Sequence, residues 1–240
     1  MGLAPVRALR RFRLIVMRAW ALCILAVCFA EPAQAGSCVA QSGRDSVPLV
    51  ELYSAKNCAG CARAELWLSE LKAHRPEPVL AVVLPMDDRD MGGEPKARPS
   101  RKLTVLQRMA LIYRPYVVLQ GHEFPGWNTD AFDAALARIH ARPAGVRLRL
   151  EIVSLSGERI EVAAAADSQA ALYLAAYGIG LGSVPLVLEW QGPFAVYSGA
   201  QVRRTLSIPP GVARNNSGVL AFARDRRTAE VLQALRLPTC

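Results

Sequence analysis

The chain has 240 residues, of which 52% are hydrophobic and 20% charged, a balance that excludes a disordered polypeptide and leaves room for one large or two small domains. Its formal charge of +9 is uneven, because five arginines and one glutamate stand in the first 35 residues and the remainder carries +5. The remaining basic residues are scattered, with no aromatic-interleaved stripe, so nucleic-acid binding is not expected.

Arg7, Arg10, Arg11, Arg13 and Arg18 give a basic start, Ala19 to Ala30 is an uncharged apolar run, and Ala33-Gln34-Ala35 places small residues around a polar one. That order is expected of a secretory signal peptide over 1–35, cleaved after Ala35. The rival is an uncleaved anchor, but the apolar run spans twelve residues and a membrane helix needs roughly 20. No later segment is long and apolar enough to span a membrane, so no stable membrane insertion is expected once the leader is removed.

Pro48 to Tyr53 reads as a short buried strand. Cys58 to His74 reads as a helix with Leu66, Trp67, Leu68 and Leu71 on a broad apolar face, ended by Pro76 and Pro78. Val79 to Leu84 is a second strand, followed by a polar loop from Asp87 to Pro99. Arg101 to Ile112 has helical spacing, Tyr116 to Leu119 is a strand opened by Pro115, a turn falls near Gly121, and Thr129 to Ala141 is a helix capped by Asn128 or Thr129. The order β-α-β-α-β-β-α is the minimal thioredoxin arrangement, with a dithiol after the first strand.

Beyond Arg142-Pro143-Ala144-Gly145 the pattern changes to period-two alternation. Val146 to Ile152 and Arg159 to Val162 flank a turn at Ser156-Gly157. Further runs are Ala171 to Tyr177 (equally readable as helix), Pro185 to Trp190 and Val202 to Leu206, then Gly218 to Arg224 and Glu230 to Leu237 around a hairpin turn at 225–228. The expected fold is therefore α/β: a thioredoxin-like domain over 36–142, followed by a β-rich antiparallel sheet or sandwich domain over 143–240.

After the leader, four cysteines remain: Cys38, Cys58, Cys61 and Cys240. Export implies an oxidising compartment, where disulfides persist. Three pairings are possible, and the simplest joins Cys58 to Cys61 and Cys38 to Cys240. A competing use of Cys38 is as a lipoprotein anchor, which would exclude the second bond.

The Cys58-Ala59-Gly60-Cys61 motif carries the chemistry. A thiolate at a helix N-terminus is stabilised by the end amides and the helix dipole, so Cys58 would attack and Cys61, nearly one turn on, would resolve. Asn57 is a candidate cap and Lys56 adds positive charge. The same spacing also fits an inert disulfide or half of a zinc site, or a soft Cu(I) site completed by Met86, Met91 or His122. Pro115 stands where a cis-proline would face the dithiol, with Arg114 and Tyr116 as the expected partner-binding residues; a solvated Arg114 is the plain alternative. His74, His122 and His140 show no metal spacing, Gly178, Gly180 and Gly182 read as a flexible turn, and Asp87, Asp88 and Asp90 read as a solvated loop. No metal and no cofactor are expected, and the expected partners are protein thiols or disulfides.

Glu51-Leu52-Tyr53-Ser54 followed by Cys58-Ala59-Gly60-Cys61 resembles a family of exported bacterial proteins, domain of unknown function 1223, placed within the thioredoxin-like superfamily. Cys38, Tyr113-x-Pro115, Gly121, Gly126, Gly192-Pro193-Phe194 and the closing 231–240 segment also match. The resemblance implies a periplasmic or secreted location and adds weight to the Cys38–Cys240 pairing. There are departures: Ala62-Arg63-Ala64-Glu65 stands where the family has a double proline and Ala-Asp, and Arg114 stands where a threonine is usual. A thiol–disulfide oxidoreductase or dithiol-relay protein is the leading expectation. The alternatives are a non-catalytic binding module and a Cu(I)-handling protein.

Overall fold

A computed structural model describes residues 38–56, 58–75, 77–86, 113–180 and 183–240. The expected signal peptide, the 87–99 loop and the 101–112 helix lie outside them, as do Asn57, Met91 and Gly182. Cys38–Cys240 is one compact unit.

Twelve strands and two α-helices run in the order β1 (Val39–Gln41), β2 (Leu49–Ser54), α1 (Ala59–Ala73), β3 (Leu80–Pro85), β4 (Tyr116–Leu119), β5 (His122–Glu123), α2 (Asp130–His140), β6 (Leu148–Ser156), β7 (Arg159–Ala166), β8 (Ala170–Ile179), β9 (Pro185–Val196), β10 (Gln201–Ser207), β11 (Ser217–Arg224) and β12 (Val231–Pro238) among the described residues. They form a four-stranded sheet, β1-β6-β7-β10, and an eight-stranded sheet, β12-β11-β8-β9-β3-β2-β4-β5. In the larger sheet β2 runs parallel to β3 and antiparallel to β4, and β3 meets β9 in parallel at Val83 and Leu186.

The larger sheet curls. Glu51 on β2 and Arg224 on β11 are not on neighbouring strands, yet their side chains meet at 2.5 Å. Gln120, in the β4–β5 turn, stitches one end of the sheet to the other. Its carbonyl accepts the Val231 N–H at 3.0 Å, its amide donates to the Val231 carbonyl at 2.6 Å, and its side-chain oxygen accepts the Leu49 N–H at 3.1 Å. Curling gives the sheet three packed surfaces. The inner face gathers Leu49, Tyr53, Val82, Tyr116, Val118, Tyr177 and Phe222 into one core. On the outer face of β2–β4, Val50, Leu52 and Ala81 pack against Ala64 and Leu68 of α1 and Phe132 and Leu136 of α2. On the outer face of β8 and β11, Leu172, Leu174, Val219 and Ala221 pack against Leu150, Ile160, Val162 and Leu206 of the smaller sheet. Each fully buried leucine of this kind contributes roughly 1.5–3 kcal/mol relative to exposure.

The expected fold is corrected here. Among the described residues strands dominate, and no thioredoxin-like α/β domain followed by a β-rich sheet or sandwich domain is found; strands from both sides of Arg142 share one mixed sheet, and β1 joins β6. The physical reason is long-range. Period-two patterns name strands but not partners, and the free edge of β3 is taken by β9. Every residue of β2 and β11 is buried, as expected of strands covered on both faces. The ambiguous Ala171 to Tyr177 run belongs to β8, because its small residues fit between two packed layers. Leu66, assigned to the apolar face of the helix, is 61% exposed.

Cys38 and Cys240 form a disulfide with Cα atoms 5.8 Å apart. It ties the start of β1 to the end of β12 and leaves no Cys38 sulfur for a lipid.

Candidate functional site: the dithiol at the start of α1

β2 ends at Ser54 and α1 begins at Ala59, so the short connection delivers Cys58 to the helix N-cap with extended backbone, φ −114° and ψ 105°. The cap is therefore Cys58 itself. Its sulfur accepts the Cys61 N–H at 3.2 Å, and its carbonyl accepts the same N–H at 3.0 Å and that of Ala62 at 3.3 Å. No acidic residue stands in the first turn. These end amides favour negative charge on the Cys58 sulfur when the pair is reduced. Cys58 is half-buried, whereas Cys61 is 1% exposed. The two are joined in a disulfide with Cα atoms 5.2 Å apart.

Pro115 lies against this turn. A Cβ placed on Gly60 would stand 3.0 Å from Pro115 Cδ, so the residue between the cysteines is glycine where the opposing loop comes closest. The Arg114–Pro115 peptide is cis. Arg114 is exposed, and Tyr113 beside it is 59% exposed. Tyr116 is placed elsewhere: it is 4% exposed and faces the inner core, edge-on to Tyr53. Burial, then Glu123, with which it shares a hydrogen bond, raises its hydroxyl above the usual tyrosine value.

A cleft of about 480 Å³ opens beside Cys58. Ser54, Ala55 and Lys56 line it from the β2 end, Ala62 and Glu65 from α1, Val83 and Pro85 from β3, and Gly180, Val184 and Leu186 from around the start of β9. Ser54 Oγ–H donates to the Glu65 carboxylate. Sequence reasoning gave Ser54, Glu65 and Leu186 no place at the site and read Gly180 only as part of a turn. The parallel β3–β9 pairing brings the last two in, and it has no local signature.

On the other face of β2, Glu51 is fully buried. It accepts from Arg224 at 2.5 Å and from the Tyr53 hydroxyl at 3.0 Å. Arg224 lies 5.3 Å from the Tyr173 ring centre and 5.2 Å from that of Phe222. Burial opposes the guanidinium charge, but Glu51 and the tyrosines outweigh it, and the group titrates above its ordinary value. Burial first, and then Glu51, push the Tyr53 hydroxyl well above its usual range. The clue in the sequence was a glutamate inside an otherwise apolar strand.

Among the described residues, the candidate metal ligands Met86 and His122 do not converge on the dithiol. Met86 packs on the inner core and His122 is exposed on β5. His74 bonds the Glu70 carbonyl at 2.9 Å, and His140 lies in the last turn of α2.

A family model described as "Protein of unknown function (DUF1223)" matches residues 49–181. Among solved structures, HBP35 of Porphyromonas gingivalis is similar at a TM-score of 0.60 and 10% identity, covering 82% of this chain and 76% of that one. A protein from Agrobacterium tumefaciens is similar at 0.49 and 14% identity, covering 82% and 97%. A domain of the outer membrane lipoprotein Omp28 of Porphyromonas gingivalis gives 0.32 and 13% identity over 39% of this chain and 87% of that chain. No curated protein matches. The first of these likenesses concerns the fold alone. The family and the two disulfides fit a redox- or disulfide-related role, and the disulfides fit a compartment outside the reducing cytosol.

Proposed function

We propose, for a chain that belongs to the DUF1223 family, that it is an exported bacterial thiol–disulfide oxidoreductase or dithiol relay acting in the periplasm or after secretion. The observation that carries this reading is the asymmetry of the dithiol: Cys58 caps a helix and is reachable, while Cys61 is buried one turn on. In the reducing direction the Cys58 thiolate attacks a partner disulfide. A mixed disulfide forms and one partner thiolate leaves. Cys61, after losing its proton, attacks the Cys58 sulfur, releasing the second partner thiol and closing Cys58–Cys61. The protein loses two electrons and the partner gains them; the oxidising direction is the reverse. Pro115, packed against Gly60, bounds the surface on which a partner chain would lie, with Arg114 at its rim.

A titration in glutathione buffers, with each cysteine state mapped by mass spectrometry, tests this. A Cys58–Cys61 pair that converts reversibly between roughly −270 and −120 mV fits a working redox site. A pair that stays oxidised below about −300 mV contradicts it, as does a reduced pair that holds Cu(I) and does not exchange.

A further inference from the structure

The cleft beside Cys58 is not the Pro115 side of the dithiol: Pro115 does not line it, and Gly180, Val184 and Leu186 do. Its size, about 480 Å³, falls within the range of small-molecule sites, about 300–1,000 Å³. Most of its wall is apolar. Glu65 is the carboxylate lining it among the described residues, half-buried and oriented by the Ser54 hydroxyl. Lys56, which also lines it, has a partner of its own. A carboxylate on an apolar wall calls for a cationic donor whose carbon chain can lie along that wall. A sulfur able to exchange disulfides opens on the same space.

We infer that the cleft receives the group attached to the reacting sulfur of the exchange partner, and that this group is an alkyl chain ending in an ammonium or guanidinium, held by Glu65. This rests on the proposed exchange chemistry and names its substrate class. The Cys58 thiolate attacks one sulfur of R–S–S–R, the Cys58–S–S–R bond forms, and RS⁻ leaves and takes a proton from water. Cys61 then displaces the second RS⁻. The dithiol is oxidised by two electrons and R–S–S–R is reduced to two thiols. The amino-bearing chain belongs either to a small disulfide or to a polypeptide cysteine flanked by lysine or arginine.

The test measures second-order rates of the reduced protein with cystamine (cationic), bis(2-hydroxyethyl) disulfide (neutral) and dithiodipropionate (anionic). It adds two peptide disulfides whose cysteine is flanked by Leu-Lys or Leu-Glu. One sulfur attacks every substrate, so rate ratios are independent of its thiolate fraction. Glu65→Gln is expected to lower the cystamine-to-dithiodipropionate ratio, or the Lys-to-Glu peptide ratio, about tenfold. Glu70→Gln, exposed on the same helix, is expected to change either less than about twofold. A shift in the small-disulfide ratio assigns the chain to a small amine; a shift confined to the peptides assigns it to a polypeptide. Gly180→Leu puts its Cβ in ordinary contact, 3.5 Å from Val184 O and 3.7 Å from Leu186 Cβ, and it is expected to slow the cationic substrates most by filling the cleft. Equal slowing of all substrates in Glu65→Gln, with no effect of Gly180→Leu on selectivity, overturns the inference. If no disulfide oxidises the wild-type dithiol, the exchange reading itself fails.

Discussion

The two disulfides are the same bond in opposite settings. Cys38–Cys240 has a sequence separation of 202 and fastens the two ends of the folded unit, before β1 and after β12. Cys58–Cys61 has a separation of 3, constrains almost nothing, and sits on a helix end beside a cleft. Loop closure explains the first and electrostatics at the helix start explains the second. Stability should follow one and reactivity the other.

The largest effect that would break this division is on exchange. Cys58→Ser is expected to abolish disulfide exchange, a loss on the order of a thousandfold or more in rate against any small disulfide, while replacing Cys38 and Cys240 together by serine, which leaves no free thiol behind, keeps the rate per folded molecule unchanged. Removing Cys38, in turn, is expected to lower stability by up to about 5 kcal/mol on the chain-entropy view, read from urea unfolding. The buried pair sharpens the comparison, because it lies on the strand that delivers Cys58 without touching the chemistry. Glu51→Gln leaves Arg224 charged and buried, and is expected to cost roughly 3–5 kcal/mol. The double change Glu51→Met with Arg224→Met recovers most of that. Replacing both Cys58 and Cys61 by serine closes no long loop and is expected to cost at most about 2 kcal/mol. The smallest effect is at the closest approach. Gly60→Ala puts a Cβ 3.0 Å from Pro115 Cδ, and is expected to slow exchange a few-fold with unfolding midpoints nearly unchanged.

Much of the dithiol end was legible from the sequence because its determinants are local. The apolar run at Leu49–Tyr53, the Cys-x-x-Cys and the Leu68–Leu71 spacing name a strand, a dithiol turn and a helix. The separation of Cys38 and Cys240 from the adjacent pair made their bond the simplest choice. The architecture was not legible. Val83 facing Leu186, Glu51 reaching Arg224 and Gln120 bridging to Val231 join segments about a hundred or more residues apart, and no local pattern encodes which strand pairs with which. Tyr116 shows the same limit. It stands next to Pro115 in the chain, but strand alternation turns it to the inner core while its neighbour faces the dithiol. The cleft was invisible for the same reason, since the start of β9 supplies one of its walls.

The measurement closest to the central claim is the pH dependence of alkylation of the reduced protein, followed separately at Cys58 and Cys61 by mass spectrometry. A capping sulfur that accepts the Cys61 N–H at the helix end should react first, and with a midpoint below the ordinary thiol value of about 8.5. Cys61 should stay protected until the protein unfolds. If Cys58 titrates at or above that value, or if Cys61 reacts as fast, the helix start does not activate the sulfur and the dithiol is a structural bond like the one that joins the two ends of the folded unit.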